Sequence, residues 1–119
     1  TYTLWNDFTA NYDLALIKPQ NISPLCILEI PHTTLAEFKA DKKFDVIYYD
    51  AFSVQHQPEM WSDAMIAHAC SFLKPGGTFV TYAITGKLKR AVKANGFTIE
   101  KLPGAPGKRE MLRAVKALV

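Results

Sequence analysis

"FDVIYYDAFSVQHQPEMW", residues 44–61, runs through four apolar residues, Val46 to Tyr49, to a carboxylate, Asp50, and then into a loop holding Phe52, His56, Pro58 and Trp61. Its opening, "FDVIYYD" (44–50), is rich in β-branched and aromatic residues and shows no polar alternation past Asp45. Such a run suits a strand covered on both faces, as in a parallel sheet. The segments that follow decide what surrounds it. Ser62 is placed to N-cap "DAMIAHACSFL", with Met65, Ala69, Phe72 and Leu73 on one helical face. "KPGG" (74–77) stops that helix and turns the chain into the β-rich "TFVTYAI". Thr85 caps "GKLKRAVKA", where Leu88 and Val92 face inward, and Asn95-Gly96 ends it. "FTIEKL" (97–102) and "REMLRAV" (109–115) read as a strand pair across the turn-rich "PGAPGK".

From residue 44 the order is therefore strand, helix, strand, helix, strand, strand. Alternation of this kind predicts an α/β fold with a mostly parallel, Rossmann-like sheet, helices on its faces in three layers, and an antiparallel C-terminal edge. The lead-in, residues 1–43, is less regular. "YDLALIK" (12–18), stopped by Pro19, and "LCILEI" (25–30), bounded by Pro24 and Pro31, read as strands. Thr34 with Glu37 forms a capping-box signature that opens a short helix over "LAEFKAD". All 119 residues are expected to form one partial domain, with the interpretable half at 44–116. The leading edge of the parallel sheet would be raw. Either "YDLALIK" or "LCILEI" covers it, or the chain dimerises through it.

Composition narrows the function classes. The chain is 49% hydrophobic and 21% charged, which is globular composition, and no apolar run approaches the ~20 residues of a membrane span. With no basic-then-apolar leader, the expected location is cytoplasmic. Cys26 and Cys70 lie in apolar stretches without metal-ligand spacing and are expected to be buried free thiols. His32, His56 and His68 form no metal-site pattern. Net charge is +3, but it is unevenly placed. Up to Leu73 there are four Lys/Arg and nine Asp/Glu, a balance of −5; from Lys74 onward there are ten and two, a balance of +8. Such asymmetry points to a polyanionic partner, against the plainer reading of solvated lysines.

In an open parallel sheet, ligands gather beyond the carboxyl ends of the strands. Asp50 ends one strand and Tyr82 lies near the end of the next, so neighbouring strands would bring both to one crevice. Phe52 and Trp61 can stack on a base or wall a nucleoside pocket; the competing reading is an apolar staple that fixes the loop. Arg90, Lys108 and Arg109 belong to the basic half, and the last two follow a glycine in a turn where backbone can approach phosphate closely.

"DAFSVQHQPEMW" (50–61), "LKPGGTFVTYAITGKLKRAVKANGFTIEKLPG" (73–104) and "GKREML" (107–112) together resemble the methyltransferase domain of the bacterial tRNA 5-methylaminomethyl-2-thiouridine biosynthesis family, which is similar to class I S-adenosylmethionine-dependent methyltransferases. The resemblance spans residues 44 to 116. It implies methyl transfer to an aminomethyl group on the wobble uridine of tRNA. Asp50 would act as the acidic catalytic residue near the methyl donor, with Ala51 and Phe52 beside it, and Trp61, Tyr82, Arg90, Lys108 and Arg109 would be on the tRNA side. S-adenosylmethionine is the implied cofactor, tRNA the implied partner, and no metal is implied. One part of the family pattern is not recognisable. All six glycines lie at or beyond Gly76, so the glycine-rich turn that holds the methionine portion of the cofactor has no counterpart in the first 75 residues. The expectation is an N-terminally incomplete domain, weak or inactive as it stands. The alternatives are a non-catalytic RNA-binding remnant of the fold or a different doubly wound domain.

Overall fold

A computed structural model of the chain describes residues 2–103 and 111–118. They gather into two compact units, one ending at Phe38 and the other starting at Lys39.

The first unit holds helix α1 (Tyr2–Ala15) and a hairpin of β1 (Gln20–Ser23) and β2 (Cys26–Leu28), paired antiparallel as a two-stranded sheet. The strand expected over 12–18 is therefore corrected: Tyr12 to Ala15 close a helix, and the residues after it form a turn in which Ile17 and Lys18 N–H donate to Leu14 O. The helical period wins because Trp5, Phe8 and Tyr12 recur at helical spacing. Trp5 stacks on Phe8 at 5.8 Å and Phe8 meets Tyr12 edge-on at 5.8 Å; a strand would put the first pair on opposite faces and hold the second about 13 Å apart, four residues at ~3.3 Å each. The strand expected at 25–30 is present but shorter, at Cys26–Leu28. Thr34 Oγ1 does accept from Glu37 N–H, yet only a turn follows over residues 35–37. One capped turn cannot offset the cost of helix nucleation when no further turns extend it. Cys26 is exposed and Cys70 buried, both free, so the expectation of two buried thiols holds for Cys70 alone.

The second unit is built on a four-stranded sheet in the order β3-β4-β6-β5, with β3 at Phe44–Tyr48, β4 at Leu73–Thr81, β5 at Phe97–Leu102 and β6 at Met111–Lys116. β3 and β4 are parallel, and β6 is antiparallel to both β4 and β5. The hairpin of β5 and β6 forms one edge of the sheet, as expected. Its inner member is β6, so the outermost strand, β5, runs in the same sense as β3 and β4. Helices α2 (Asp63–Cys70) and α3 (Gly86–Ala94) pack against each other, α2 also on β4 and α3 on β5. They therefore share one face. The described helices of this unit supply one layer over its sheet.

Both helices start as the sequence requires. Ser62 Oγ accepts from Met65 N–H at 3.1 Å, and Thr85 Oγ1 accepts from Leu88 N–H at 3.1 Å. The buried face of α2 centres on Ile66, Ala69 and Cys70, with Met65 and Phe72 only half-buried. Leu88, Ala91 and Val92 are the buried face of α3. Ile66, Leu73, Phe79, Val92 and Leu112 are fully buried and form the core between helices and sheet. Each contributes about 1.5–3 kcal/mol of transfer free energy. Lys116, at the end of β6, donates to Cys70 O at 3.1 Å, a carbonyl that the end of α2 leaves open, and to Leu73 O at 2.9 Å at the start of β4.

KPGG lies inside β4 as an irregularity. Phe44 pairs with Leu73 but Val46 pairs with Thr78, so three extra residues of β4 are looped out between two successive rungs. Gly76 takes a φ of +80°, open to glycine at little cost. Gly77 is needed for a different reason: a Cβ there would sit 2.9 Å from Lys74 O and 3.1 Å from Asp45 O, both backbone atoms. The substitution Gly77→Ala is expected to cost about 1–3 kcal/mol by overpacking against backbone that cannot rotate away. Urea unfolding checks it: the midpoint should fall while the slope stays that of the unsubstituted chain.

Candidate active site at the carboxyl ends of β3 and β4

Tyr48 pairs with Val80, and Tyr49 N–H donates to Val80 O at 2.9 Å. Asp50 and Tyr82 each stand two residues past that rung, on neighbouring parallel strands. The expected adjacency of the two strands is thus present. Asp50 is exposed and makes no hydrogen bond or ion pair among the described residues. A carboxylate so placed keeps its acceptor positions open to a ligand. Tyr82 is 40% exposed, and just before it Thr81 Oγ1 accepts from Ala83 N–H at 3.3 Å, bending the chain away from the sheet.

The loop after Asp50 is organised by its own side chains. Gln57 Oε1 accepts from Phe52 N–H at 3.1 Å, while His56 and Gln57 N–H both donate to Ser53 O. Ser53 Oγ and His56 Nδ1 lie 2.7 Å apart. Trp61, in the 3-10 turn Pro58–Trp61, is buried, and its indole N–H donates to Phe52 O at 2.7 Å. It meets Tyr49 edge-on at 5.1 Å, and Tyr49 leans on Phe79 at 5.4 Å. The Tyr49 hydroxyl donates to Met60 O. Trp61 thus sits beneath the loop with its one polar atom occupied, and Phe52 is left with its ring outward, 73% exposed.

Tyr49 and Gln57 are the residues that sequence reasoning missed. Strand parity is the signal that finds Tyr49: when Asp50 points out at a strand's end, the residue before it points in. Burial, with a smaller contribution from Cys70, pushes the Tyr49 phenol up to about 12, and burial pushes the Cys70 thiol up to about 11 against the opposing pull of Lys116.

Of the basic residues, Arg90 is exposed on α3, its guanidinium 3.2 Å from the position a Cβ on Gly86 would take, so it lies back over the first turn of its own helix. Lys108 and Arg109 lie outside the described residues. No group of three His, Cys, Asp or Glu suited to a metal occurs among the described residues, and no helix among them is long and apolar enough to cross a membrane.

Residues 5–117 match the model of an S-adenosyl-L-methionine-dependent methyltransferase family. The chain belongs to that family. Among similar proteins are two named tRNA 5-methylaminomethyl-2-thiouridine biosynthesis bifunctional protein MnmC. The one from Aromatoleum aromaticum is 41% identical over 69 residues, covering 58% of this chain and 11% of that protein. The one from Aeromonas hydrophila is 34% identical over 89 residues, covering 75% of this chain and 12% of that protein. The chain thus spans about a tenth of the length of these relatives. The crystal structure of MNMC2 from Aquifex aeolicus shares the fold, with a TM-score of 0.55 over 71% of this chain and 26% of that one, at 21% identity.

Set against the family's methyl donor, the residues at this site fit one part of it. The unpartnered Asp50 carboxylate and the outward Phe52 ring suit its polar and adenine portions, whereas no glycine precedes Gly76 to form a turn around its methionine portion. The loop clasp yields a pH prediction. Folding favours the neutral Tyr49 phenol, whose pKa rises from 10 to about 12. Its contribution is therefore fully present below pH 10 and is lost as pH rises through about 12. Melting temperature measured from pH 8 upward should fall with a shallower slope in Tyr49→Phe. That variant should also lose about 1 kcal/mol at neutral pH, because Met60 O loses its donor.

Proposed function

We propose that the chain is the acceptor-facing part of an S-adenosylmethionine-dependent methyltransferase that acts on the aminomethyl group of a modified wobble uridine in tRNA. Asp50 is the catalytic residue in this reading, and the protein works in the cytoplasm. The observation that carries it is the exposed, unpartnered Asp50 carboxylate at the mouth of two neighbouring parallel strands, in a chain whose relatives carry names in tRNA modification.

S-adenosylmethionine, when bound, supplies a methyl group on a sulfonium sulfur. An amine takes up that methyl only in its neutral form and must shed a proton as it is alkylated. Asp50, within hydrogen-bond reach of the nitrogen, orients its lone pair and accepts that proton directly or through one water. Ala51, small and half-buried, leaves room beside the carboxylate, and Phe52 offers a ring face to a base. Trp61 contributes by holding Phe52 in place through its carbonyl, and Tyr82 borders the crevice from the β4 side. Arg90, with Lys108 and Arg109, contacts tRNA phosphates; those contacts add affinity but read no sequence. A non-catalytic RNA-binding role is the second reading, favoured by the +8 balance from Lys74 onward.

Two measurements test this. Transfer of labelled methyl from S-adenosylmethionine to undermethylated tRNA should drop about 10²- to 10⁴-fold in Asp50→Asn, with tRNA affinity unchanged. Transfer at the original rate in that variant, or tRNA binding with no transfer by the unsubstituted chain, favours the RNA-binding role. For Arg90→Ala, tRNA binding should weaken for all tRNAs alike, and the slope of log affinity against log salt should shrink by about 1.

A further inference from the structure

Phe52 lies outside every helix and strand, so its two backbone polar groups need partners of their own. Both find them in side chains from the far end of the same loop. Gln57 Oε1 accepts from the Phe52 N–H at 3.1 Å, and the Trp61 indole N–H donates to the Phe52 carbonyl at 2.7 Å. On the other side of Asp50, Tyr49 N–H donates to Val80 O at 2.9 Å. Between these anchors stand only Asp50 and Ala51, and neither makes a hydrogen bond among the described residues. The carboxylate is therefore placed from two directions, by the sheet rung before it and by the clamp on Phe52 after it.

The two halves of the clamp differ in what else they do. Trp61 is buried and meets Tyr49 edge-on at 5.1 Å, so its loss would empty part of the core. Gln57 lies outside the core, and its side chain makes one hydrogen bond among the described residues, the one to Phe52. Its backbone supplies the stiffness that a long side chain lacks. Gln57 N–H donates to Ser53 O at 2.8 Å, and Gln57 O accepts from Met60 N–H at 3.1 Å. Pro58 bars its neighbour from the helical region, and Gln57 sits at φ −146° and ψ 61°. The Met60 carbonyl is in turn held by the hydroxyl of the buried Tyr49. A line of hydrogen bonds thus runs from Tyr49 through Met60 and Gln57 to Phe52, rejoining the chain on the far side of Asp50. Ser53 and His56 pair their side chains with each other, 2.7 Å apart, and stand outside that line.

We propose that Gln57 is a positioning residue for Asp50: its side-chain oxygen, by holding the Phe52 N–H, fixes the segment that carries the carboxylate. The catalytic use of that placement rests on the methyl-transfer reading, because a base acts only when its oxygen stands within hydrogen-bond reach of the proton it accepts. The clamp itself is open to measurement without any transfer.

Gln57→Met removes the acceptor at nearly the same side-chain length, and Gln57→Glu puts an acceptor back. By NMR of the protein alone, the Phe52 amide should exchange with solvent about fivefold faster in Gln57→Met, the loss of one hydrogen bond. The order parameter of the Ala51 methyl should fall with it. The Tyr49 amide and the Trp61 indole should keep their exchange rates, and Gln57→Glu should return Phe52 and Ala51 to the unsubstituted values. Ser53→Ala, which removes a loop contact outside the clamp, should leave Ala51 as it is. Unchanged order at Ala51 in Gln57→Met overturns the proposal, as does an equal loss in Ser53→Ala or a failure of Gln57→Glu to rescue. Loss of protection at Tyr49 makes Gln57 a residue of the fold at large and overturns it too. With S-adenosylmethionine and undermethylated tRNA, Gln57→Met should lower kcat about tenfold with KM held, and Gln57→Glu should recover most of it. An unchanged kcat in Gln57→Met defeats the positioning role. No transfer by the unsubstituted chain defeats the methyl-transfer reading instead, and the Phe52 and Ala51 measurements then decide the clamp.

Discussion

The parallel rung between Tyr48 and Val80, closed by the Tyr49 N–H bond to Val80 O, fixes the level at which two strands deliver their chain ends. Asp50 and Tyr82 reach the same mouth only because that rung holds. The rung in turn depends on a correction made lower in the sheet, where β4 loops out three residues between its pairings with Phe44 and Val46. Without that loop the strands would be out of step at the top, and a slip in register carries every later side chain to a different neighbour. Gly77 makes the correction possible, since its missing Cβ is what lets the backbones of Lys74 and Asp45 approach. A glycine pair that reads in sequence as a helix stop is, in the fold, the device that aligns the two strands at the site.

Above the rung, rigidity comes from apolar and polar contacts working on the same few residues. Tyr49 packs between Trp61 and Phe79 while its hydroxyl holds the carbonyl of Met60. Trp61 then holds the carbonyl of Phe52. Two interior rings thereby fix two points of the loop, nine and eleven residues apart along the chain from their partners. The exposed part of the loop is left to side chains that close it locally, through Ser53, His56 and Gln57. The catalytic role proposed for Asp50 would benefit from such support because proton transfer and orientation are sensitive to small displacements.

The parts of the fold legible in the sequence were those with local causes. Ser62 and Thr85 each sit one residue before a helix and form the hydrogen bonds their position demands. The apolar run at 44–48 is a strand, and Asn95-Gly96 ends α3 with Gly96 at a φ of +86°. What escaped was set by contacts distant along the chain. The helix over Tyr2–Ala15 was hidden because the short window 12–18 alternates, while the aromatic spacing that settles it begins at Trp5. At 35–41 the cap was read correctly but nothing lay beyond it to extend a helix. The position of β6 between β4 and β5 has no signature in either strand's composition. At the site, Asp50 and Tyr82 were legible from strand ends. The burial of Trp61 was not, because an indole before a helix serves a ligand and a loop equally well until its hydrogen-bond partner is known.

Lys116 joins features that are far apart in synthesis. Its ammonium closes the carbonyls of Cys70 and Leu73, more than forty residues earlier, and the strand that carries it lies between two strands made before it. On the ribosome, β4 and β5 therefore emerge with a gap between them. The hydrogen-bonding edges on either side of that gap stay open to other chains until residues 111–116 have cleared the exit tunnel. Vectorial synthesis of this unit thus ends with the strand that fills the interior of its sheet.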